Sequence, residues 1–282
     1  MDLEGHIVEL TQLRYFQTAA YYQHISRAAE ELNISQPALS TMISRLEKEL
    51  GVPLFDHNGR SIILNQNGQR FLQRVNHILM EVENSKRELQ DIADEGDNSI
   101  SLAVSSSQFL QGMHAFMYQH PNYKWNQRVA ENKEIAALLN RGQIDLAVTS
   151  PGIYGEVFES TLLLRDIFKL AVHKDNPLAQ RKSVRLEELT DQRFIMLLKG
   201  LPFRAQTDRI FADLGITPHY IMECDHLLRR ELINANAGVT IASQSASFRH
   251  LFSENIRFLD IEDVHHTRDI VMVHRKGRYL NR

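Results

Sequence analysis

The side chains best suited to metal binding or nucleophilic chemistry stand together at Glu223-Cys224-Asp225-His226, with two further histidines at His265-His266. Zinc sites need Cys, His or carboxylate ligands at recurring spacings, and no second cluster with such a spacing accompanies these residues. Cys224 and His226 are not predicted to act as a nucleophile and base, because adjacency in sequence is not a catalytic geometry. The sequence also lacks phosphate-loop, HExxH and GxGxxG motifs. We therefore predict no catalytic residue, no metal and no cofactor, and expect that the chain is not an enzyme.

The composition is that of an ordinary globular protein, with 43% hydrophobic and 24% charged residues. No apolar stretch approaches the ~20 residues that span a bilayer, and the N-terminus lacks the basic-then-apolar pattern of a secretory signal. The single cysteine, Cys224, cannot form an internal disulfide, which fits a reducing compartment. We predict a cytoplasmic protein with no membrane partner.

The first 66 residues predict three helices and a hairpin. Apolar spacing and capping residues predict helices over Leu10–Tyr22, over Arg27–Leu32 after a Ser26 cap, and from Ser35 to about Leu50. Two short helices joined by a tight turn, the second beginning Ser-Gln-Pro, suit a helix-turn-helix whose recognition helix enters the DNA major groove. The Asn-Gly pair between extended segments predicts a hairpin over Phe55–Leu64, which would form a wing.

Several segments of this region resemble the DNA-binding head of LysR-type transcriptional regulators, in order and spacing. They are Leu13-Arg14-Tyr15-Phe16, Ser26-Arg27-Ala28-Ala29-Glu30-Glu31-Leu32, Ser35-Gln36-Pro37-Ala38-Leu39-Ser40, Arg45-Leu46-Glu47 and Leu50-Gly51-Val52-Pro53-Leu54-Phe55. The resemblance covers nearly the whole head, which we define as residues 1–66. It implies a winged helix-turn-helix head, a dimerising linker helix, and a C-terminal effector-binding domain with a two-lobed, periplasmic-binding-protein-like fold.

By this resemblance seven residues would contact double-stranded DNA at a promoter or operator: Ser35, Gln36, Pro37, Ser40, Thr41, Arg45 and Arg60. Gln36, Pro37 and Ser40 would meet base edges, because Gln pairs with adenine and Pro can touch a thymine methyl. Ser35, Arg45 and Arg60 would contact phosphate or the minor groove. Thr41 stands where many members of the family carry Arg. The head has five basic against eight acidic side chains, so charge by itself does not predict DNA binding.

Residues 67–95 predict a long helix that links the head to the remainder of the chain. Its apolar residues recur at three- and four-residue steps, which is typical of a two-helix seam: Leu72, Val75, Leu79, Val82 and Leu89. The alternative is an ordinary amphipathic helix that packs on its own domain. We predict dimerisation, and the resemblance implies antiparallel pairing with a second copy. A homodimer, or a homotetramer, would place two tethered heads on one DNA.

Residues 96–282 predict an α/β fold, because short apolar strands alternate with amphipathic helices. The strand candidates are Ile100–Val104, Gln127–Ala130, Ile144–Thr149, Phe168–His173, Phe194–Leu198, Tyr220–Glu223, Val239–Ala242, Ile256–Leu259 and Ile270–His274. The resemblance divides this region into lobe I, residues 97–165 plus 266–282, and lobe II, residues 166–265.

The predicted effector is a small anionic or polar metabolite held between these lobes. Candidate contacts stand at strand ends or helix starts: Ser106, Ser107, Thr149, Lys199, Arg204 and Thr240. The simpler alternative for Ser106 and Ser107 is that they only cap a helix. RNA polymerase is an additional candidate partner. Two other functions stay open: a DNA-binding protein whose sensor only oligomerises, and an enzyme or carrier built on the C-terminal domain.

Overall fold

The computed structural model describes residues 8–58, 61–92, 99–110, 113–243 and 252–280. Contacts between Cα atoms group the chain into two units. The first consists of Met1–Asn98, Ala137–Asp145 and Gly277–Arg282, and the second of Ser99–Ala136 and Leu146–Lys276.

Three helices build the head. They are α1 (Leu10–Tyr22), α2 (Ile25–Glu31) and α3 (Gln36–Leu50). Helices α1 and α3 confirm their predicted spans. Ser35 accepts a hydrogen bond from the Ala38 amide at 3.3 Å, and Gly51, with φ +72°, ends α3. The prediction for α2 was wrong at its start: the Ala28 amide already bonds the His24 carbonyl at 3.0 Å, so Ser26 lies inside the first turn.

The predicted hairpin is present as strands β1 (Phe55–Asn58) and β2 (Ser61–Leu64). They pair antiparallel from Phe55 with Leu64 to Asn58 with Ser61. Glu47 of α3 fixes the start of the hairpin, because its Oε1 accepts hydrogen bonds from the Leu54 and Phe55 amides at 2.7 and 3.2 Å. Gly59 and Arg60 lie outside the described residues.

Helix α4 (Gln66–Ile92) begins directly after the hairpin. Its Gly68 amide donates to Asn65 Oδ1 at 2.9 Å, which caps the helix. Gly68 also permits a close approach, because a Cβ atom there would collide with the Leu54 carbonyl. The first half of α4 therefore lies tightly against the head.

The dimer-seam prediction was wrong for Val75. Val75 is fully buried in the same core cluster as Phe16, Leu39 and Leu46 of the head, so a partner helix cannot reach it. Leu72 and Leu79 are partly buried against that core. Val82 is half-buried, and Leu89 is 68% exposed. The N-terminal part of the apolar stripe thus packs on its own head, which was the alternative reading of the pattern.

The second half of α4 is bonded to two short segments of the same unit. Buried Asn84 donates to the Gly277 carbonyl at 2.7 Å and accepts from the Tyr279 amide at 3.0 Å. Asp145 accepts from Arg87 at 2.6 Å and from Arg278 at 2.8 Å. One buried carboxylate therefore ties α4 to the segment after Gly277.

The second unit is built on an eight-stranded mixed sheet with the order β4-β3-β5-β12-β6-β11-β7, in which β10 also pairs with β6. Its strands are β3 (Ser99–Val104), β4 (Lys124–Val129), β5 (Leu146–Thr149), β6 (Phe158–His173), β7 (Ser183–Val184), β10 (Thr240–Ser243), β11 (Ile256–Ile261) and β12 (Thr267–Arg275). Strands β8 (Phe194–Leu197) and β9 (Tyr220–Cys224) form a separate parallel pair.

Strand β6 is much longer than the predicted Phe168–His173. Its first part pairs with β12, from Phe158 opposite Arg275 to Ile167 opposite Thr267. Its second part pairs with β10 and β11. One strand therefore runs through both parts of the sheet and changes partners near Phe168.

In the described part of the chain, four helices accompany these strands: α5 (Met113–Gln119), α6 (Asn132–Asn140), α7 (Pro202–Asp213) and α8 (His226–Asn234). The largest core cluster of this unit buries Phe168 and Leu170 of β6, Phe194 of β8, and Phe203 and Ile210 of α7. Strands and helices alternate along most of the unit, which confirms the predicted α/β class.

Candidate DNA-binding surface and effector cavity

The solvent face of α3 carries the residues that were predicted to touch DNA. Ser35, Gln36, Pro37, Ser40, Thr41 and Arg45 are all exposed. The opposite face buries Leu39, Ile43 and Leu46. Six of the seven predicted residues therefore share one accessible surface, and the seventh, Arg60, lies outside the described residues.

Hydrogen bonding within the head separates the five polar side chains of this surface into two groups. Ser35 caps α3, and the Thr41 hydroxyl donates to the Pro37 carbonyl at 2.8 Å. Arg45 Nε lies 2.9 Å from Glu49 Oε1 in an exposed ion pair, which is worth little and can be exchanged for a phosphate. Across the described part of the chain, the side chains of Gln36 and Ser40 have no hydrogen-bond partner. These two are free to bond a base edge.

A cavity of about 340 Å³ opens in the second unit. Its lining comes from the end of β5, from β6, from α7 and from the start of β12: Ser150, Pro151, Gly152, Tyr154, Phe168, Gln206, Arg209, His266, Thr267, Arg268 and Asp269. The volume is in the range of small-molecule sites.

Several buried polar atoms at this cavity have no protein partner. Within the described residues, Ser150 Oγ and Gln206 Oε1 make no hydrogen bond, and neither does Oγ1 of the adjacent, fully buried Thr149. A buried polar atom left unpaired costs about 1–3 kcal/mol. The cavity therefore offers a donor–acceptor set that a polar ligand can satisfy.

The charged groups of the lining are mainly basic. Arg268 is buried and lies 3.3 Å from Asp166. Burial lowers the pKa of Arg268 to about 10, although the Asp166 carboxylate opposes the shift, so this guanidinium remains charged at neutral pH. Arg209 and His266 both face Asp213, at 3.7 and 3.2 Å. Asp269 is neutralised by Arg165 at 2.9 Å.

Two of the predicted effector contacts, Arg204 and Thr240, have their polar groups bonded inside the unit. Arg204 is 4% exposed and pairs with Asp208 and Glu223, both at 2.6 Å. Thr240 is buried and donates to the Ile195 carbonyl at 2.8 Å. Both side chains are used inside the unit, because helix α7 and strand β10 pack their polar groups onto neighbouring strands, and neither lines the cavity.

The other predicted effector residues lie in different settings. Thr149 lies next to the cavity-lining Ser150. Ser106 Oγ accepts from the Gln108 amide at 3.4 Å, which is the capping role named as the alternative, and Ser107 is exposed. Their neighbour Ser105 accepts from the Ser150 amide at 3.1 Å, so the serine run adjoins the cavity wall. Lys199 is exposed in the turn after β8 and does not line this cavity.

Sequence reasoning missed Gln206, Arg209 and Arg268. Gln206 and Arg209 are three residues apart on α7, and that spacing places two side chains on one helix face. Arg268 is a charged residue near the start of an apolar strand, which is an unusual position for a buried charge. The spacing on α7 and the charge near the start of β12 are the sequence features that could have indicated these cavity residues.

No three His, Cys, Asp or Glu side chains are grouped as a metal site in the described part of the chain. Asp225 instead caps α8 by accepting from the Leu228 amide at 2.9 Å, and Glu223 binds Arg204. Of the helices that the structure describes, none is long and apolar enough to cross a membrane.

Two family models match the chain. "Bacterial regulatory helix-turn-helix protein, lysR family" matches residues 10–69, and "LysR substrate binding domain" matches residues 94–282. The second match alone covers more than half of the sequence.

Relatives and solved structures agree with these matches. The HTH-type transcriptional regulator YybE of Bacillus subtilis (strain 168) is 35% identical over 220 residues, which is 77% of this chain and 75% of the relative. The regulator YtlI of the same organism is 30% identical, over 85% of this chain and 79% of the relative. A full-length OxyR variant from Pseudomonas aeruginosa has the same fold, with a TM-score of 0.65 at 21% identity over 97% of this chain and 91% of that chain.

Full-length CbnR bound to its target DNA also shares the fold, with a TM-score of 0.53 at 24% identity over 96% of this chain and 94% of that chain. These relatives are transcriptional regulators and not enzymes. With a helix-turn-helix head at one end and an effector-binding α/β domain at the other, the chain belongs to the LysR family of DNA-binding transcriptional regulators.

Proposed function

We propose that this regulator reads its operator through the exposed start of α3 and is controlled by a small polar or anionic metabolite bound in the cavity beside Ser150. One observation supports the DNA-binding part of this proposal: the candidate residues from Ser35 to Arg45 lie on a single accessible surface. On that surface, the side chains of Gln36 and Ser40 make no hydrogen bond to the described residues. Ligand binding would shift the protein between states that occupy or bend DNA differently.

Within this proposal the DNA contacts divide by chemistry. Gln36, Pro37 and Ser40 meet base edges, and Ser35, Thr41, Arg45 and Arg60 position the head on the phosphate backbone. The free amide of Gln36 supports its role, because a bidentate contact to adenine needs both its donor and its acceptor. The domain division proposed is 1–66 for DNA contact, 67–95 for linkage and dimerisation, and 96–282 for the effector, with lobe I at 97–165 and 266–282 and lobe II at 166–265.

The effector part of the proposal is supported by the unpaired atoms of Ser150, Gln206 and Thr149. Ser106 and Ser107 stay candidate contacts, because the neighbouring Ser105 accepts a hydrogen bond from the Ser150 amide at 3.1 Å. Regulators with a vestigial sensor have no reason to keep such atoms buried and unsatisfied, since each is destabilising without a ligand.

The protein is proposed to work in the cytoplasm as a homodimer, with a homotetramer as the alternative. The exposed Leu89 and half-buried Val82 of α4 remain available to a second copy. Exposed apolar side chains on α5 and β9 offer further contact area: Phe116, Met117, Tyr220, Ile221 and Met222. Promoter-bound dimers would place RNA polymerase within reach as a partner.

The experiment is a selection of duplexes from a random pool, with the full-length protein and two variants. We expect the native chain to enrich an inverted repeat, because a symmetric dimer presents two heads. The double variant Gln36→Ala, Ser40→Ala should lose this preference, since each good base contact is worth about 1–3 kcal/mol. Lys48→Ala, also exposed on α3, should enrich the native sequence. Enrichment of the same sequence by the double variant would place base readout elsewhere.

A further inference from the structure

Arg229 of α8 is a buried guanidinium without a carboxylate partner in the described part of the chain. Only 7% of the residue is exposed. Its Nη1 donates to the Ile241 carbonyl at 3.4 Å, and its Nε has no acceptor among the described residues. The segment 244–251, which follows β10, contains no aspartate or glutamate in the sequence. Neither the described residues nor segment 244–251 therefore supplies an acidic partner for the charge of Arg229.

Arg204 shows how the same chain treats a buried guanidinium that serves structure. It is buried to a similar degree, and it meets Asp208 and Glu223 at 2.6 Å each. A buried charge with no partner is strongly unfavourable, whereas a paired one is tolerated. Among the described residues, Arg229 has no such carboxylate, so its charge is available to an anionic ligand.

A second guanidinium lies on the same aromatic ring. Cζ of Arg229 is 5.5 Å and Cζ of Arg268 is 4.8 Å from the centroid of Phe203, and Arg268 is also 5.6 Å from the Phe109 ring. Arg268 lines the cavity and pairs with Asp166. Two buried guanidinium groups thus lie beside the same aromatic ring, and aromatic side chains around them exclude water.

The half-buried His226 adds no positive charge to this group. Burial, followed by the charges of Arg229 and Arg268, lowers the pKa of His226 to about 4, while Asp225 opposes the shift. At neutral pH the imidazole is uncharged, and its Nδ1 has no partner among the described residues. It can therefore donate to, or accept from, a bound polar group.

We propose that Arg229 and Arg268 together bind the anionic group of the effector, which makes the effector a small oxyanion such as a carboxylate or a phosphate ester. The guanidinium fork matches both groups in geometry and charge. This assignment rests on the proposed function, because it takes the adjacent cavity as the effector site. The assignment extends the proposed effector site by one further cation, Arg229, which is not among the residues that line the cavity.

The test is the melting temperature of the full-length protein in a buffer without oxyanions, with sodium succinate, sodium phosphate or sodium chloride added at equal ionic strength. The native protein should melt about 4 °C or more higher with succinate or phosphate than with chloride. A rise with succinate alone would identify a carboxylate site, and a rise with phosphate alone a phosphate site.

Three variants give the comparison. Arg229→Met should melt at or above the native temperature in chloride, because it removes an unpaired buried charge, and should lose the response to the oxyanions. Arg229→Lys keeps the positive charge but loses the two-pronged geometry of the guanidinium. Its melting temperature should therefore rise less with the oxyanions than that of the native protein. Arg204→Met is the matched control: it should melt well below the native protein, because it leaves two carboxylates without their cation, and should keep the oxyanion response.

Two results would overturn the proposal. If Arg229→Met lowers the melting temperature as much as Arg204→Met, Arg229 is structural. If neither anion stabilises the native protein, or both stabilise Arg229→Met equally, no oxyanion binds at this arginine. Operator binding by the same samples separates this failure from that of the proposed function, because the base contacts of α3 do not depend on Arg229.

Discussion

His226 is a half-buried titratable residue whose pKa is set by burial and by two neighbouring cations. Its pKa falls from 6.5 to about 4 in the folded chain. The unfolded chain therefore binds a proton between pH 6.5 and 4 that the folded chain does not. Stability falls as pH decreases through this window, by about 2 kcal/mol at pH 5 relative to neutral pH for this residue alone.

Replacing the imidazole tests this linkage. The variant His226→Gln cannot take up the proton, so its free energy of unfolding should change less between pH 7.5 and pH 5 than that of the native protein. Urea unfolding at both pH values measures the difference, and the other histidines cancel because both proteins carry them. Equal pH dependence in the two proteins would show that His226 is hydrated in the folded chain.

The two arginines Arg204 and Arg229 show where sequence reasoning ends at this scale. Each begins or lies on an amphipathic helix, and each is an arginine near apolar residues. What separates them is a partner 19 residues away, since Glu223 reaches Arg204 while no described carboxylate reaches Arg229. Whether a buried arginine meets a carboxylate depends on how strands and helices pack in space, and no local sequence pattern predicts it.

Among the elements, α4 has two halves with different neighbours. Val75 is fully buried in the head core, whereas Leu89 is 68% exposed on the same helix. Val75→Ala removes two buried methyl groups and should lower the free energy of unfolding by about 2 kcal/mol. Leu89→Ala should leave the unfolding of the dilute chain unchanged.

The matching measurement for Leu89 is self-association. If Leu89 lies in the proposed dimer seam, Leu89→Ala should raise the dimer dissociation constant by about tenfold or more. The variant dimer would lose two buried leucine side chains, one from each helix. Sedimentation equilibrium measures this constant, and Val75→Ala serves as the control for general destabilisation. An unchanged constant in Leu89→Ala would exclude this end of α4 from the seam.

Local signals explain which elements were predictable. Ser35 and Gly51 bound α3, and the Asn-Gly pair marks the hairpin, so both elements follow from neighbouring residues. The first part of β6 was missed because many of its side chains are exposed; its strand conformation comes from pairing with β12, about 100 residues later. The buried Val75 has the same local pattern as a seam residue, so only the packing of α4 on the head separates the two roles.

At the scale of the whole molecule, the residues proposed to contact DNA cover a shorter stretch of the chain than the hydrophobic core beneath them. The head core includes Val75, and Phe71, Leu72 and Leu79 pack against it from α4. Phe16, which is fully buried in this core, packs against Phe71 with ring centroids 5.1 Å apart and the rings tilted. A boundary at residue 66 encloses the proposed DNA contacts but cuts through the hydrophobic core that supports them.

Two fragments test this conclusion. A fragment of residues 1–66 loses four apolar side chains from its core, each worth about 1.5–3 kcal/mol when fully buried, against a total stability of about 5–15 kcal/mol for a domain. It should show no cooperative thermal transition, whereas a fragment of residues 1–92 should unfold cooperatively. Circular dichroism melting curves of both fragments measure this. A cooperative transition in the shorter fragment would show that Phe16, Leu39 and Leu46 suffice as a core, and that α4 only covers it.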